Sequence, residues 1–170
     1  MYHAIVIHLR VPGSLRYRDL AVRVVGAAAK LVGVSDDSGP TRINRDFDHQ
    51  IISAFGEAFN NVAIHSYRGQ VMGEVEVEVD IGSAHITVRL RDWGRSFALD
   101  DVPLPDLESM PESGLGLFII RSFMDEVQYL PGSPNVLSMT KHLVPTDSAS
   151  RPAHKPAGAF EDSAGGKSRQ

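Results

Sequence analysis

Residues 74–81 alternate strictly, with Val75, Val77, Val79 and Ile81 facing one way and Glu74, Glu76, Glu78 and Asp80 the other. A period of two with branched apolar residues marks a strand buried on one face. After Gly82-Ser83 the alternation resumes, Ile86, Val88 and Leu90 against Thr87, Arg89 and Arg91. The pattern predicts an antiparallel hairpin whose wet face sets acids against arginines, so the charge run is a sheet surface rather than a ligand site. Upstream the period is helical. From about Asn44 to Ser66, Ile51, Ile52, Phe55, Phe59 and Val62 form an apolar stripe. Glu57, Asn61 and His65, four residues apart, form a polar stripe roughly opposite. On its own that stripe reads as a solvated helix face.

Tyr2 to Val11 is a strand rich in branched residues, ended by Pro12-Gly13. Ser14 is placed to cap a helix reaching about Val32, apolar at Leu20, Val24, Ala27, Ala28 and Leu31, with Arg16, Arg18 and Arg23 on its exposed side. Those arginines serve solubility or a partner surface. Residues 34–41 form a polar loop, and Gly69 ends the following segment. Beyond Asp92-Trp93-Gly94, residues 95–113 lack a period and contain Pro103, Pro105 and Pro111, the pattern of a lid. A helix follows over 117–127, apolar at Leu117, Ile120, Phe123 and Met124. Then come a short strand at 127–130, a turn at 131–135 and a last strand at 136–143. Residues 146–170 are rich in Ser, Ala, Gly and Pro, with Phe160 as the one large apolar residue, and are expected to be a disordered tail.

Composition narrows the function classes. A chain of 170 residues, 42% hydrophobic and 22% charged, fits one ordinary domain, over 1–145, plus that tail. A net charge of −4 offers no electrostatic footprint for nucleic acid. Without cysteine there are no disulfides or thiolate metal sites, which favours a reducing compartment. The apolar start MYHAIVIHLRVP is too short for a signal peptide, and nothing approaches the roughly 20 apolar residues of a membrane span. The expectation is a soluble, cytoplasmic protein without nucleic-acid or membrane partners.

Three separated elements carry candidate chemistry. Glu57 and Asn61, one helical turn apart, can supply a base and an amide oxygen for a magnesium ion. Asp92 at a strand end can accept a hydrogen bond from an exocyclic amine, while Gly94 allows close approach of a flat ring. Ser113-Gly114-Leu115-Gly116 opens a helix, where free backbone N–H groups attract anionic oxygens. His65 lacks companions at ligand spacing, so it packs beside the site or closes the helix end.

In this order and spacing, EAFNNVAIHSY, RDWG, SGLGLFIIRSFMDEV and MTKHL resemble the histidine-kinase-like ATPase superfamily. Within it the chain is similar to the anti-sigma factor and serine-protein kinase branch of bacterial partner-switching modules, over about residues 3–144. The resemblance implies a two-layer α/β (α+β) sandwich, three helices on one face of a mixed, mostly antiparallel sheet. The pattern above, strand-helix-helix-strand-strand-lid-helix-strand-strand, agrees with it. It implies ATP or ADP and Mg2+ as ligands, Asn61 on the metal, Asp92 on the adenine amine and Gly94 bordering the base. Gly114 and Gly116, with Ser113 and Leu115 in the same box and His65 nearby, would hold the phosphates, and Glu57 would be the general base. The implied activity is phosphorylation of a serine on a STAS-domain anti-anti-sigma antagonist, with a sigma factor as a second partner and a homodimer as the assembly.

The chain departs from that pattern at Ser96, where a further glycine is usual, at Glu112, where an arginine is usual, and at Ser133-Pro134-Asn135, where a glycine-threonine pair is usual. Cations to neutralise phosphate are also scarce: the lysines are Lys30 and Lys141 within the domain and Lys155 and Lys167 in the tail, and Arg95 is the single cation in the lid. A non-catalytic module that binds nucleotide to shape its partner surface is therefore the alternative reading. A histidine-kinase catalytic domain is disfavoured, since no helix with a phosphorylatable histidine precedes residue 2.

Overall fold

The computed structural model describes residues 5–33, 45–96 and 115–143. The expected loop at 34–41, the tail at 146–170, most of the lid, and Ser113 and Gly114 lie outside them, as do Pro111 and Glu112. Five strands form one sheet: β1 (Ile5–Pro12), β2 (Glu74–Ile81), β3 (His85–Asp92), β4 (Glu126–Leu130) and β5 (Asn135–His142), in the order β1-β2-β3-β5-β4. Each of the four pairings is antiparallel. Three helices, α1 (Arg18–Ala29), α2 (Arg45–Asn61) and α3 (Leu115–Phe123), cover one face of the sheet. The architecture is thus the α+β two-layer sandwich, with only antiparallel pairs among the described strands. No helix among the described residues is long and apolar enough to cross a membrane.

The period-two segments behave as their pattern dictates. Val75, Val77, Val79 and Ile81 of β2 and Ile86, Val88 and Leu90 of β3 are buried under the helices. On the outer face the register sets Glu76 against Arg91 and Glu78 against Arg89. Glu78 accepts hydrogen bonds from both Arg89 (2.7 Å) and Arg91 (3.0 Å), and Arg10 of β1 pairs with Glu74 and Glu76.

The helices differ more from their patterns. The first helix does not bury Leu20, Ala27 and Leu31. It buries Ala21, Val25, Ala28 and Ala29, with Val32 just beyond its end, and leaves Leu20 50% and Leu31 43% exposed. Apolar residues nearly encircle this helix, so periodicity alone could not fix its inner face. Close packing decided it: α1 meets α2 through small side chains, and Gly26 lies against Ile52, which is only half-buried. Ser14 caps a 3-10 turn at Leu15–Tyr17, after which α1 begins. Arg16 and Arg23 are exposed, Arg23 pairing with Asp19, but Arg18 is not on that side; its guanidinium lies over Gly56 of α2.

The second helix is not continuous to Ser66. It ends as an α-helix at Asn61 and closes with a π-helical turn at Val62–Ser66. The third helix stops at Phe123, earlier than the pattern to 127 suggests, because Lys141 donates to the Phe123 carbonyl (2.7 Å) and Asp125 N–H to the Thr140 carbonyl (2.9 Å). A cation at that end also complements the helix dipole.

Burial alone would raise the Glu78 carboxyl, but the hydrogen bonds and charges of Arg91 and Arg89 outweigh it and hold it below its ordinary range. A lowered carboxyl stabilises the fold above the ordinary glutamate value and loses that contribution as pH falls through the lower folded value. Urea unfolding at neutral pH and again at about pH 3 should therefore show wild type more stable than Glu78→Gln at neutral pH, with the gap closing in acid. A gap of equal size at both pH values would remove the ion pairs as its cause.

Candidate functional site

The polar stripe of α2 turns towards α3. A methyl group built on Gly116, the second residue of α3, would lie 2.9 Å from Glu57 Oε2 and 3.7 Å from Asn61 Oδ1. Glu57 and Asn61, both half-buried, thus face the first turn of α3. Only a glycine leaves the carboxylate where it is. His65 does not join them. It falls in the wider π-turn, which breaks the four-residue alignment, and its side chain is exposed. Its carbonyl accepts from the Tyr67 and Arg68 N–H groups, so it closes the helix end. Leu115, the first residue of α3, is largely exposed. Ser113 and Gly114 lie outside the described residues.

The strand-end element reaches the same region through the π-turn. Gly94 packs on the backbone of Ser66: a Cβ on Gly94 would overlap the Ser66 carbonyl, with Ser66 Cβ only 2.7 Å away. The Arg95 N–H donates to that carbonyl (2.8 Å). The close approach that requires glycine at 94 is thus to protein backbone. Asp92, the last residue of β3, is 3% exposed, and its Oδ1 accepts from Gly94 N–H (2.9 Å) and Asn135 Nδ2 (3.1 Å). Among the described residues, no hydrogen-bond donor reaches Oδ2.

Tyr67 fixes this junction from below. Its ring lies between Gly13 and Gly73, at each of which a Cβ would fall 2.5 Å from a ring carbon. Its hydroxyl donates to the Glu74 carbonyl (2.7 Å) and accepts from Trp93 N–H (3.1 Å). Burial, with the nearby Asp92 and Glu74 charges, pushes the phenol above its ordinary value despite the Trp93 hydrogen bond, so it stays neutral as donor and acceptor.

Two residues were missed in the sequence. Asn135, wholly buried at the start of β5 opposite Asp92, ties together the strand end, Gly94, Ser96 and the β4–β5 turn. A lone Asn in a turn-like stretch gives no such signal. Lys141, one of the domain's two lysines, is committed to the far end of α3, with Asp125 3.6 Å away.

Could these side chains hold a metal? No group of three or more His, Cys, Asp or Glu side chains gathers among the described residues. One amide oxygen and one carboxylate fit Mg2+, which keeps several waters and binds mainly through substrate phosphates; they do not make an all-protein cage. The geometry can therefore place an anion at the α3 N-terminus, beside an amide oxygen and a carboxylate, with a buried acceptor at the other end.

The family model described as the histidine kinase-like ATPase domain matches residues 12–141. The chain is 26% identical over 145 residues to the serine-protein kinase RsbW of Oceanobacillus iheyensis, spanning 81% of this chain and 86% of that one. It is 33% identical over 100 residues to the anti-sigma F factor of Bacillus thuringiensis, spanning 55% of this chain and 68% of that one. Superposition on the Acinetobacter baumannii histidine kinase AdeS gives a TM-score of 0.44 at 19% identity, covering 79% of this chain and 68% of that one.

Because Gly94 touches backbone rather than a flexible side chain, Gly94→Ala should cost about 1–3 kcal/mol through overpacking. The guanidinium unfolding midpoint checks it. A midpoint unchanged from wild type would mean that the Ser66–Gly94 approach yields freely.

Proposed function

The chain belongs to the histidine kinase-like ATPase domain family, and on that premise we propose that it is an ATP-dependent serine-protein kinase acting as an anti-sigma factor. The domain would span residues 1–145, followed by a tail. The observation that carries the reading is the convergence of Glu57, Asn61 and Gly116 at the start of α3. The names of its relatives, a serine-protein kinase and an anti-sigma factor, point the same way. The phosphoryl acceptor would be a serine hydroxyl on a STAS-domain anti-anti-sigma antagonist, and a sigma factor would be the other partner.

The roles are those that the family resemblance implies. Asp92 accepts the exocyclic amine of adenine, with Gly94 beside the base. Backbone N–H groups at residues 113–116 hold the phosphates at the positive end of α3. Asn61 Oδ1 binds Mg2+, which when present draws charge from the phosphate oxygens. Glu57 takes the proton of the attacking serine hydroxyl as the γ-phosphorus bonds to that oxygen and the bond to ADP breaks. Leu20 of α1, Leu31 just beyond its end, and Ile5 and Val6 of β1 are exposed apolar side chains, and the homodimer contact is proposed in this first strand and helix.

The non-catalytic alternative has one observation in its favour. Lys141 is drawn to the α3 C-terminus, so it cannot neutralise phosphate at the N-terminus.

Incubation with labelled ATP, Mg2+ and a cognate antagonist separates the two. Glu57→Ala is expected to lower label transfer by about 10²-fold or more while ATP affinity is kept. ATP binding by the wild type with no transfer under any condition would sink the kinase reading and leave the binding module. Asn61→Ala should lose the Mg2+ dependence of ATP affinity.

Gly116→Ala separates site from scaffold. The clash is with the far end of a flexible side chain, so stability should hold or rise by about 0.5–1 kcal/mol from helix propensity. Transfer should nonetheless fall, because the new methyl group displaces the Glu57 carboxylate. Full transfer by a stable Gly116→Ala protein would remove Glu57 from its assigned position.

A further inference from the structure

We infer that Asn135 is the positioning residue of the base pocket, holding Asp92 so that one carboxylate oxygen faces an exocyclic amine and thereby setting selectivity for 6-aminopurine nucleotides. The inference rests on the adenine-binding role proposed for Asp92.

Asn135 is 0% exposed, and every hydrogen-bonding position of its amide that the structure shows is directed. Its Oδ1 accepts from Gly132 N–H (3.0 Å) and Ser96 Oγ (2.6 Å). Its Nδ2 donates to Asp92 Oδ1 (3.1 Å) and to the Gly94 carbonyl (3.2 Å). The amide orientation is chemically forced. A backbone N–H can only donate, so Oδ1 must face Gly132; a carbonyl can only accept, so Nδ2 must face Gly94. The buried amide thus has no reason to flip, and its N–H is always aimed at Asp92.

The consequence lies in how Asp92 is used. Its Oδ1 is taken twice, by Nδ2 of Asn135 and by Gly94 N–H. Among the described residues nothing donates to Oδ2, whose lone pairs can thus take a ligand N–H, and rotation of the carboxyl group would break two hydrogen bonds at once. A carboxylate held this way accepts from a 6-amino group and repels the oxygen of a 6-oxo group. If Asp92 were free to turn, its two oxygens would be equivalent and the amine would have to order the carboxylate on binding, at a cost in affinity. Because the same amide grips Gly94 and Ser96, it also fixes the loop that borders the base.

The test compares the full chain with Asn135→Asp, which replaces the donor by an acceptor at nearly constant shape, and with Ser96→Ala, which removes one contact to Oδ1 at an exposed position. Binding is measured for ATP, for purine riboside triphosphate, which lacks the 6-amino group, and for inosine triphosphate, which carries a 6-oxo group. Asn135→Asp is expected to reduce the preference for ATP over purine riboside triphosphate by about tenfold, the worth of one well-placed hydrogen bond. Ser96→Ala should reduce it in the same direction by about two- to threefold. Triphosphate affinity for purine riboside triphosphate itself should change little. Scaffolding alone would weaken all three nucleotides together and lower the melting temperature, leaving their ratios fixed; that result would overturn the inference. Unchanged ratios in a folded Ser96→Ala protein would do so even if Asn135→Asp fails to fold. Absence of ATP binding by the unaltered chain would instead remove the nucleotide role of Asp92, and this inference with it.

Discussion

The contact between Ser66 and the Gly94-Arg95 backbone is the constraint on which the site depends. One side of it belongs to the π-turn that ends the long central helix, the other to the segment leaving the central strand. The Ser66 carbonyl accepts from Arg95 N–H, and Gly94 rests on it with no room for a side chain. An α-helical continuation would direct that carbonyl forward along the helix axis, towards the N–H four residues on. The wider turn frees it to bond across to the sheet layer, and π-turns of this kind recur at functional sites. The helix that carries Glu57 and Asn61 is thereby tied to the strand that carries Asp92. Tyr67, one residue further on, drives its ring between two glycines and locks the same junction from beneath.

The fold commits several of its cations away from the start of α3. Arg10, Arg89 and Arg91 are spent on the outer face of the sheet against Glu74, Glu76, Glu78 and Asp80. Lys141 satisfies the Phe123 carbonyl at the end of α3. Among the described residues, the side chains that face Gly116 at the start of α3 are Glu57 and Asn61, a carboxylate and an amide.

Much of this was legible in the sequence, for physical reasons that differ from element to element. The β2–β3 hairpin follows from its alternation because one face must be dry and the other wet, and the register pairs Glu76 with Arg91 and Glu78 with Arg89 as the charges suggest. The facing of Glu57 and Asn61 follows from helical spacing. The inner face of α1 was misjudged at Leu20, Ala27 and Leu31 because apolar residues lie nearly all around it, and the choice is made by close approach of Gly26 to Ile52. The π-turn could not be seen either, since Val62 to Ser66 continues the helical pattern of apolar positions. Asn135 and Lys141 were illegible for a third reason: their partners lie about 40 residues away on another strand or 18 away at a helix end, and only the folded chain brings them together.

Trp93 has a place in this arrangement that pattern could not assign. It is the single tryptophan of the chain, flanked by Asp92 and Gly94, with its backbone N–H fixed to Tyr67 and its indole 44% exposed beside Arg10, Glu74 and Glu76, with which it lines a shallow cleft of about 250 Å³. Its emission therefore comes from one known place, one residue along the chain from Asp92 and at a half-wet, charged boundary on the outer face of the sheet, where small displacements alter quenching. The protein carries its own optical gauge: any occupant that tightens the loop from Asp92 to Ser96 is reported in the colour and yield of its fluorescence, with no label attached.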